Sequence, residues 1–141
     1  MGRGPGVNLP EQRGRAVALV VLCLFYLGAG IIHLLSPSTF VGVTPPWVPD
    51  ASLVVMVTGL CEIAGAFGLL IVRTRKLAGV MLALYALLVF PANIMHAVQD
   101  LSTGTGLGWA YHYPRLFIQP LICWWALWAA GVVGRARGTG A

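Results

Sequence analysis

Six polar side chains stand inside otherwise apolar stretches of this chain: His33, Glu62, Asn93, His96, Arg115 and Gln119. Ionisable groups embedded in apolar helices are rare and mark function by default. Glu62 is a carboxylate set deep in such a stretch, the group suited to passing a proton to or from a reacting atom. Asn93 and His96 are spaced i, i+3, and Arg115 and Gln119 i, i+4, so each pair shares one helix face. Amides, imidazoles and a guanidinium are hydrogen-bonding partners for a polar ligand. Glu62 is therefore the candidate catalytic residue, for proton handling. Asn93, Arg115, Gln119, His33 and His96 are the candidate ligand-binding residues.

Other chemistries find little support. The two histidines and Glu62 lie at different depths and make a poor metal set, so no metal site is expected. Cys23, Cys61 and Cys123 are scattered without a C-x-x-C and read as small side chains buried between helices. There is no nucleophile–base pair, phosphate loop or nucleotide fingerprint.

The elements that carry these residues are four apolar stretches, about 16–35, 52–72, 77–97 and 115–133. Each approaches the ~20 residues that cross a bilayer core as a helix, and a helix satisfies its own backbone hydrogen bonds in lipid. Hydrophobic residues make up 58% of the 141 and charged residues 9%, against ~25% charged in a soluble domain. The expected fold is all-α, a polytopic membrane four-helix bundle spanning 15–133. Gly- and Arg-rich tails, 1–14 and 134–141, read as disordered. The first stretch exceeds a leader's usual apolar run and has no A-x-A site, so it is read as a retained helix.

The net charge of +5 does not point to nucleic acid, because its location is topological. Basic residues gather at Arg3, Arg13 and Arg15, at Arg73, Arg75 and Lys76, and at Arg135 and Arg137. The other two breaks hold no Lys or Arg except Arg115 at the lip of the fourth stretch. By the positive-inside rule both termini and the central turn are cytoplasmic. An even number of crossings agrees with that.

Punctuation refines the picture. Pro37, Pro45, Pro46 and Pro49, with Phe40 and Trp47, make 36–50 an ordered loop at the membrane surface. Asp50 is placed to cap the second helix. Ala64 and Gly68 form a small-xxx-small pair that should set this helix at the bundle centre. Pro91 should kink the third helix by depriving the Leu87 carbonyl of its donor. The break 98–114 carries interfacial Trp109, Tyr111, His112 and Tyr113, and Pro114 suits the first turn of the fourth helix.

At ~1.5 Å per residue, Glu62 lies about 17 Å below the outer start of its helix, Asn93 and Gln119 roughly 6–9 Å down, and the remaining three shallower. The group descends from the outer surface to one carboxylate, which implies a funnel open to that side. An isolated ionised carboxylate at mid-bilayer costs about 2.5–3.5 kcal/mol, so Glu62 should be protonated or partnered. Arg115 reaches only part of the way, and a chain through Gln119 or water is easier to build. His33 taken singly reads as interfacial. A second account makes all six residues an interhelical polar staple, at ~0.6–2 kcal/mol per hydrogen bond, and a third makes them a proton or ion path.

The order of several motifs resembles the DoxX-like membrane proteins. They are Gly30-Ile-Ile-His33, Pro37-x-x-Phe40 and Pro45-Pro46-Trp47-Val-Pro49; Gly59-Leu-Cys-Glu62-Ile-Ala-Gly65; Phe90-Pro91-Ala92-Asn93-Ile94; and Arg115-Leu-Phe-Ile-Gln119-Pro120. The resemblance covers about 17–128. It implies a four-helix bundle in a bacterial cytoplasmic membrane and groups Glu62, Asn93, Arg115 and Gln119 as one site. The family takes its name from a subunit of a thiosulfate:quinone oxidoreductase, and some relatives are linked to membrane redox complexes.

The combined expectation is a multi-pass inner-membrane protein, a small subunit or ligand-binding partner in a quinone-linked redox system. The chain carries no cofactor motif; a bound quinone is the cofactor expected, with a redox partner required for electron transfer. Its partners are the bilayer and a membrane protein or second copy, with no nucleic acid. Rival readings are a non-enzymatic assembly factor and an oligomeric transporter.

Overall fold

The computed structural model describes residue 10, residues 12–104 and residues 106–134. The expected tails lie outside the described residues apart from their inner edges, and helix already begins at Arg13. Five α-helices follow in order: α1 (Arg13–Leu35), α2 (Pro37–Val41), α3 (Ala51–Leu70), α4 (Arg75–Thr103) and α5 (Trp109–Ala129). Three of them, α1, α3 and α4, are long and apolar enough to cross a membrane. In α5 the polar His112, Arg115 and Gln119 interrupt the apolar sequence.

The long helices pair as α1 with α3 and α4 with α5, and α3–α4 and α1–α5 contacts close the ring. The α1–α3 crossing depends on two glycines. A Cβ on Gly30 would fall 2.6 Å from the Gly59 carbonyl oxygen, and one on Gly59 would fall 2.8 Å from His33 Cβ. Only hydrogen at both positions lets the backbones touch. Ala64, expected at the centre, is exposed instead. The small residues that face α4 are Gly65, against Leu82, and Gly68, against Ala78.

The core lies toward the end of the bundle that holds the α3–α4 turn, here the basic end. Leu19, Leu22 and Tyr26 meet Ala66 and Leu69, Leu82 and Ala83, and Ala126 and Ala129. Many core positions are alanines, so the helices sit close. The bulky apolar side chains point outward: Leu24, Leu60, Phe67, Met81, Leu88, Phe117 and Leu121 are all exposed. Apolar faces of this extent mark a surface that meets a membrane or another protein.

Two arginines fasten the basic end. Arg15 donates to the carbonyls of Val133 (3.3 Å) and Gly134 (2.5 Å) and lies over the Trp128 ring. Arg75 Nε donates to Leu69 O at 2.8 Å, satisfying a carbonyl in the last turn of α3.

The opposite end, the site end, departs from the hydropathy pattern. α4 runs six residues past Ala97, to Thr103, and α5 opens at Trp109, six before Arg115. Most of the break read as loop is therefore helix. Pro114 consequently sits inside α5, as does Pro120. Pro37–Val41 forms the short α2. Asp50 caps α3 as expected, accepting from Leu53 N at 3.2 Å, and takes φ 45° to do so. Among the cysteines Cys23 is buried, Cys123 half-buried and Cys61 exposed, so Cys61 departs from the expected interior role.

Candidate functional site

His33 and Glu62 are brought together by the glycine crossing. His33 follows Gly30 by one turn, and Glu62 follows Gly59 by one turn. Every Cα–Cβ bond in a helix tilts toward that helix's own N-terminus. In an antiparallel pair these tilts converge, so the two side chains reach for each other. His33 Nδ1 lies 2.6 Å from Glu62 Oε2. Glu62 is 4% exposed, and the Phe40 ring of α2 stands edge-on to the imidazole at 4.0 Å.

Two sequence expectations are corrected here. His33 is the carboxylate's partner rather than an isolated interfacial residue, and the Glu62 link through Arg115 or Gln119 is replaced by it. The depth count assumed that neighbouring helices start level. His33, close to the end of α1, packs at Gly59, about 12 Å into α3 at ~1.5 Å per residue. The first turns of α3 therefore rise past α1 and pack on α2.

The second group lies between α4 and α5. Arg115 donates to Asn93 Oδ1 and, at 2.7 Å, to His96 Nδ1. Asn93 Nδ2 donates to Gln119 Oε1 at 3.0 Å, and Gln119 Nε2 donates to Ala86 O at 2.6 Å. The direction of the whole chain follows from one fact: a guanidinium can only donate. His96 Nδ1 must accept, which leaves its proton on Nε2, facing Asp100 Oδ2 at 3.4 Å.

Asp100 and His112 extend this group and were missed by the hydropathy reading. Asp100 Oδ2 also faces His112 Nε2 at 3.0 Å and accepts from Leu107 N at 3.3 Å. His112 is 1% exposed, with no hydrogen-bond partner at Nδ1. The available signals were the i, i+4 spacing of His96 and Asp100 and the chain's small number of acids. Asp100→Leu, which removes the accepting oxygens altogether, should loosen the connection between α4 and α5. We expect limited proteolysis at 104–108 to quicken several-fold while circular dichroism keeps the helical signal. Equal cleavage rates would show that the carboxylate does not hold this turn.

Both groups face one cavity of about 360 Å³. Glu62 and His33 border it from one side, and Asn93, Arg115 and Gln119 from the other. His96 stands behind Arg115 and does not line it. Tyr26, Thr44, Thr58 and Tyr85 add to the polar lining, among apolar and aromatic side chains. Tyr26 and Tyr85 meet edge-to-face at 6.5 Å. Among the described residues no group of His, Cys, Asp and Glu is arranged to hold a metal ion.

The His33–Glu62 contact has the chemistry of a proton store. One proton shared between imidazole and carboxyl can rest on either atom while the hydrogen bond persists. Across the cavity, Arg115 spends part of its five donors on His96 and Asn93 and keeps others for an acceptor. An apolar chamber with a few convergent polar groups is the usual form of a small-molecule site.

Residues 22–130 match the family described as Domain of unknown function (DUF8561). The chain belongs to this family. The matched region takes in all six expected site residues together with Asp100 and His112. No curated protein and no solved structure matches the chain.

Proposed function

We propose that this member of DUF8561 is a DoxX-like integral membrane protein that holds a quinone-sized ring amphiphile. It acts as a small subunit or ligand-binding partner in a membrane redox system. In this reading all four long helices cross the inner membrane of a bacterium, with both termini cytoplasmic. The inclusion of α5 is supported by its exterior, where Phe117, Ile118, Leu121 and Trp124 are exposed, while His112 and Gln119 turn inward and are buried. The orientation is supported by Arg13, Arg15, Arg73, Arg75 and Lys76 gathering at the basic end.

The observation that carries the proposal is the cavity with polar groups on facing walls. Arg115 and the amide of Asn93 donate to one ring oxygen. The Glu62–His33 pair supplies or accepts the proton at the other, and electrons come from a membrane redox partner. Trp47 and Tyr85 contribute aromatic surface.

The test is a titration of the full chain in lipid nanodiscs with a decyl-tailed benzoquinone, followed by calorimetry. Wild-type protein should bind saturably. Asn93→Leu, which removes an acceptor for Arg115 and a donor for Gln119, should weaken binding at least about tenfold, equal to ~1.4 kcal/mol. Absence of saturable binding by wild type, or equal affinity in a folded Asn93→Leu variant, would overturn the proposal.

One observation favours the rival reading of an assembly factor with internal staples. Asn93 and Gln119 already satisfy each other and the Ala86 carbonyl. That reading predicts a stable protein partner on gentle extraction, no bound small molecule, and a loss of thermal stability in Asn93→Leu without any ligand effect.

A further inference from the structure

The seam between α3 and α4 is closed at one end and open at the other. Near the turn that joins them, Gly68 abuts Ala78 and Gly65 abuts Leu82. Residues separated by three, four or seven positions share a helix face. Continued toward the site end, the Gly65 face of α3 presents Thr58 and then Val54. The Leu82 face of α4 presents Tyr85 and then Ala92. These four side chains border the cavity. The two faces that touch at the basic end therefore stand apart at the site end.

Two residues show that this gap reaches the exterior. Leu88 borders the cavity and is 79% exposed, and Val54 borders it and is 37% exposed. A side chain that faces both the chamber and the outer surface lies at an opening in the wall. Pro91, one turn beyond Leu88, lies inside α4 and bends a helix where it interrupts the hydrogen-bond ladder. The other boundaries also carry exposed lining residues, Trp47 at 67% and Phe25 at 46%, but neither matches Leu88. The segment after α1 roofs the chamber with Phe40, Pro45 and Trp47. On the α1–α5 side the partly exposed Phe25 ring stands edge-on to its chain neighbour Tyr26 at 5.3 Å.

We infer that the cavity is loaded sideways from the hydrocarbon layer, through the α3–α4 seam, by a ligand with a compact polar head and a long hydrocarbon tail. The head lies between Glu62 and Arg115, and the tail leaves between Val54 and Leu88. The inference rests on the cavity being a ligand site, as proposed above, and adds the class of ligand and its route. Volume supports the division of the ligand. About 360 Å³ is near the lower bound of small-molecule pockets, ~300–1,000 Å³. Such a chamber holds a ring head and leaves a long tail outside. A water-soluble ligand would need no lipid-facing gap.

The test uses a benzoquinone whose alkyl tail carries a diazirine, photolysed with the full chain in nanodiscs and mapped by peptide mass spectrometry. An excess of the unmodified tailed quinone serves as competitor. Labelling suppressed by the competitor and centred on the peptides of Val54 and Leu88 is the expected result. Leu88→Trp and, on the other helix, Val54→Trp fill the gap from exposed positions and should each cut that labelling about tenfold. Suppressible labelling confined to the peptides of Phe25 or of residues 36–50 would overturn the lateral route and leave the cavity site standing. Undiminished labelling in both folded tryptophan variants would do the same. Labelling that no competitor suppresses would remove the ligand site and the route with it.

Discussion

Glutamine in place of Glu62 should leave the bundle folded and lower affinity for a tailed quinone at least about tenfold, ~1.4 kcal/mol. The substitution keeps the shape of the side chain and an oxygen that can accept from His33 Nδ1, now 2.6 Å from the carboxylate. What it removes is the ability to share a proton with the imidazole. The contrasting variant is His33→Leu, which deprives a carboxyl that is 4% exposed of its imidazole partner and leaves it only the Tyr85 side chain among its neighbours. A buried polar group stripped of its partner costs about 1–3 kcal/mol, so this variant should melt earlier in detergent as well as bind poorly. The pair of measurements separates a proton-handling role from a structural one. Equal affinity in a folded Glu62→Gln protein would assign the pair to packing alone.

The second large effect concerns two glycines of the same helix. Gly30→Ala should destabilise the protein by roughly 2–3 kcal/mol, the upper part of the range for overpacking, because the new methyl would sit 2.6 Å from the Gly59 carbonyl oxygen and 2.7 Å from an Ile63 carbon. Gly28→Ala meets nothing within 4 Å and should be neutral or slightly stabilising, since alanine favours helix over glycine. Thermal unfolding of the two variants in the same detergent is the comparison. Gly30→Ala should also part His33 from Glu62 and lose ligand, since both residues ride one turn beyond the crossing. Matching melting curves would show that α1 and α3 do not touch there.

How far the chain could be read in advance differs between helix interiors and helix ends. Apolar runs located α1 and α3 to within a few residues, because in these helices the apolar sequence and the helix stop together. They did not for α4 and α5. The hydrogen-bonded helix continues through Gln99, Asp100 and Ser102, where polar side chains find partners at the tip. Hydropathy records the solvent a residue prefers, not where the backbone ladder ends. The site divides similarly. That Glu62, Asn93, Arg115 and Gln119 are polar groups set in apolar helices was legible from their types and spacing, and all four border the cavity. The His33–Glu62 pairing was not, because it depends on how far α3 rises past α1, and that offset is set by the Gly30–Gly59 contact. Asp100 and His112 were hidden because the residues around them read as loop.

The clasp at the basic end bears on biosynthesis. Arg15 reaches Val133 and Gly134, and Trp125 Nε1 holds Ala18 O at 3.1 Å. These are contacts between the opening and closing turns of the described chain. The hairpin of α4 and α5 forms from neighbouring sequence, and α1 can dock on α3 early. The circle between them cannot shut until the last helix has left the ribosome, so a half-made bundle with an uncovered α1 flank must persist during translation. Ring closure is then the step that completes the bundle, and substitutions at Trp125 should disturb the whole fold rather than the cavity alone.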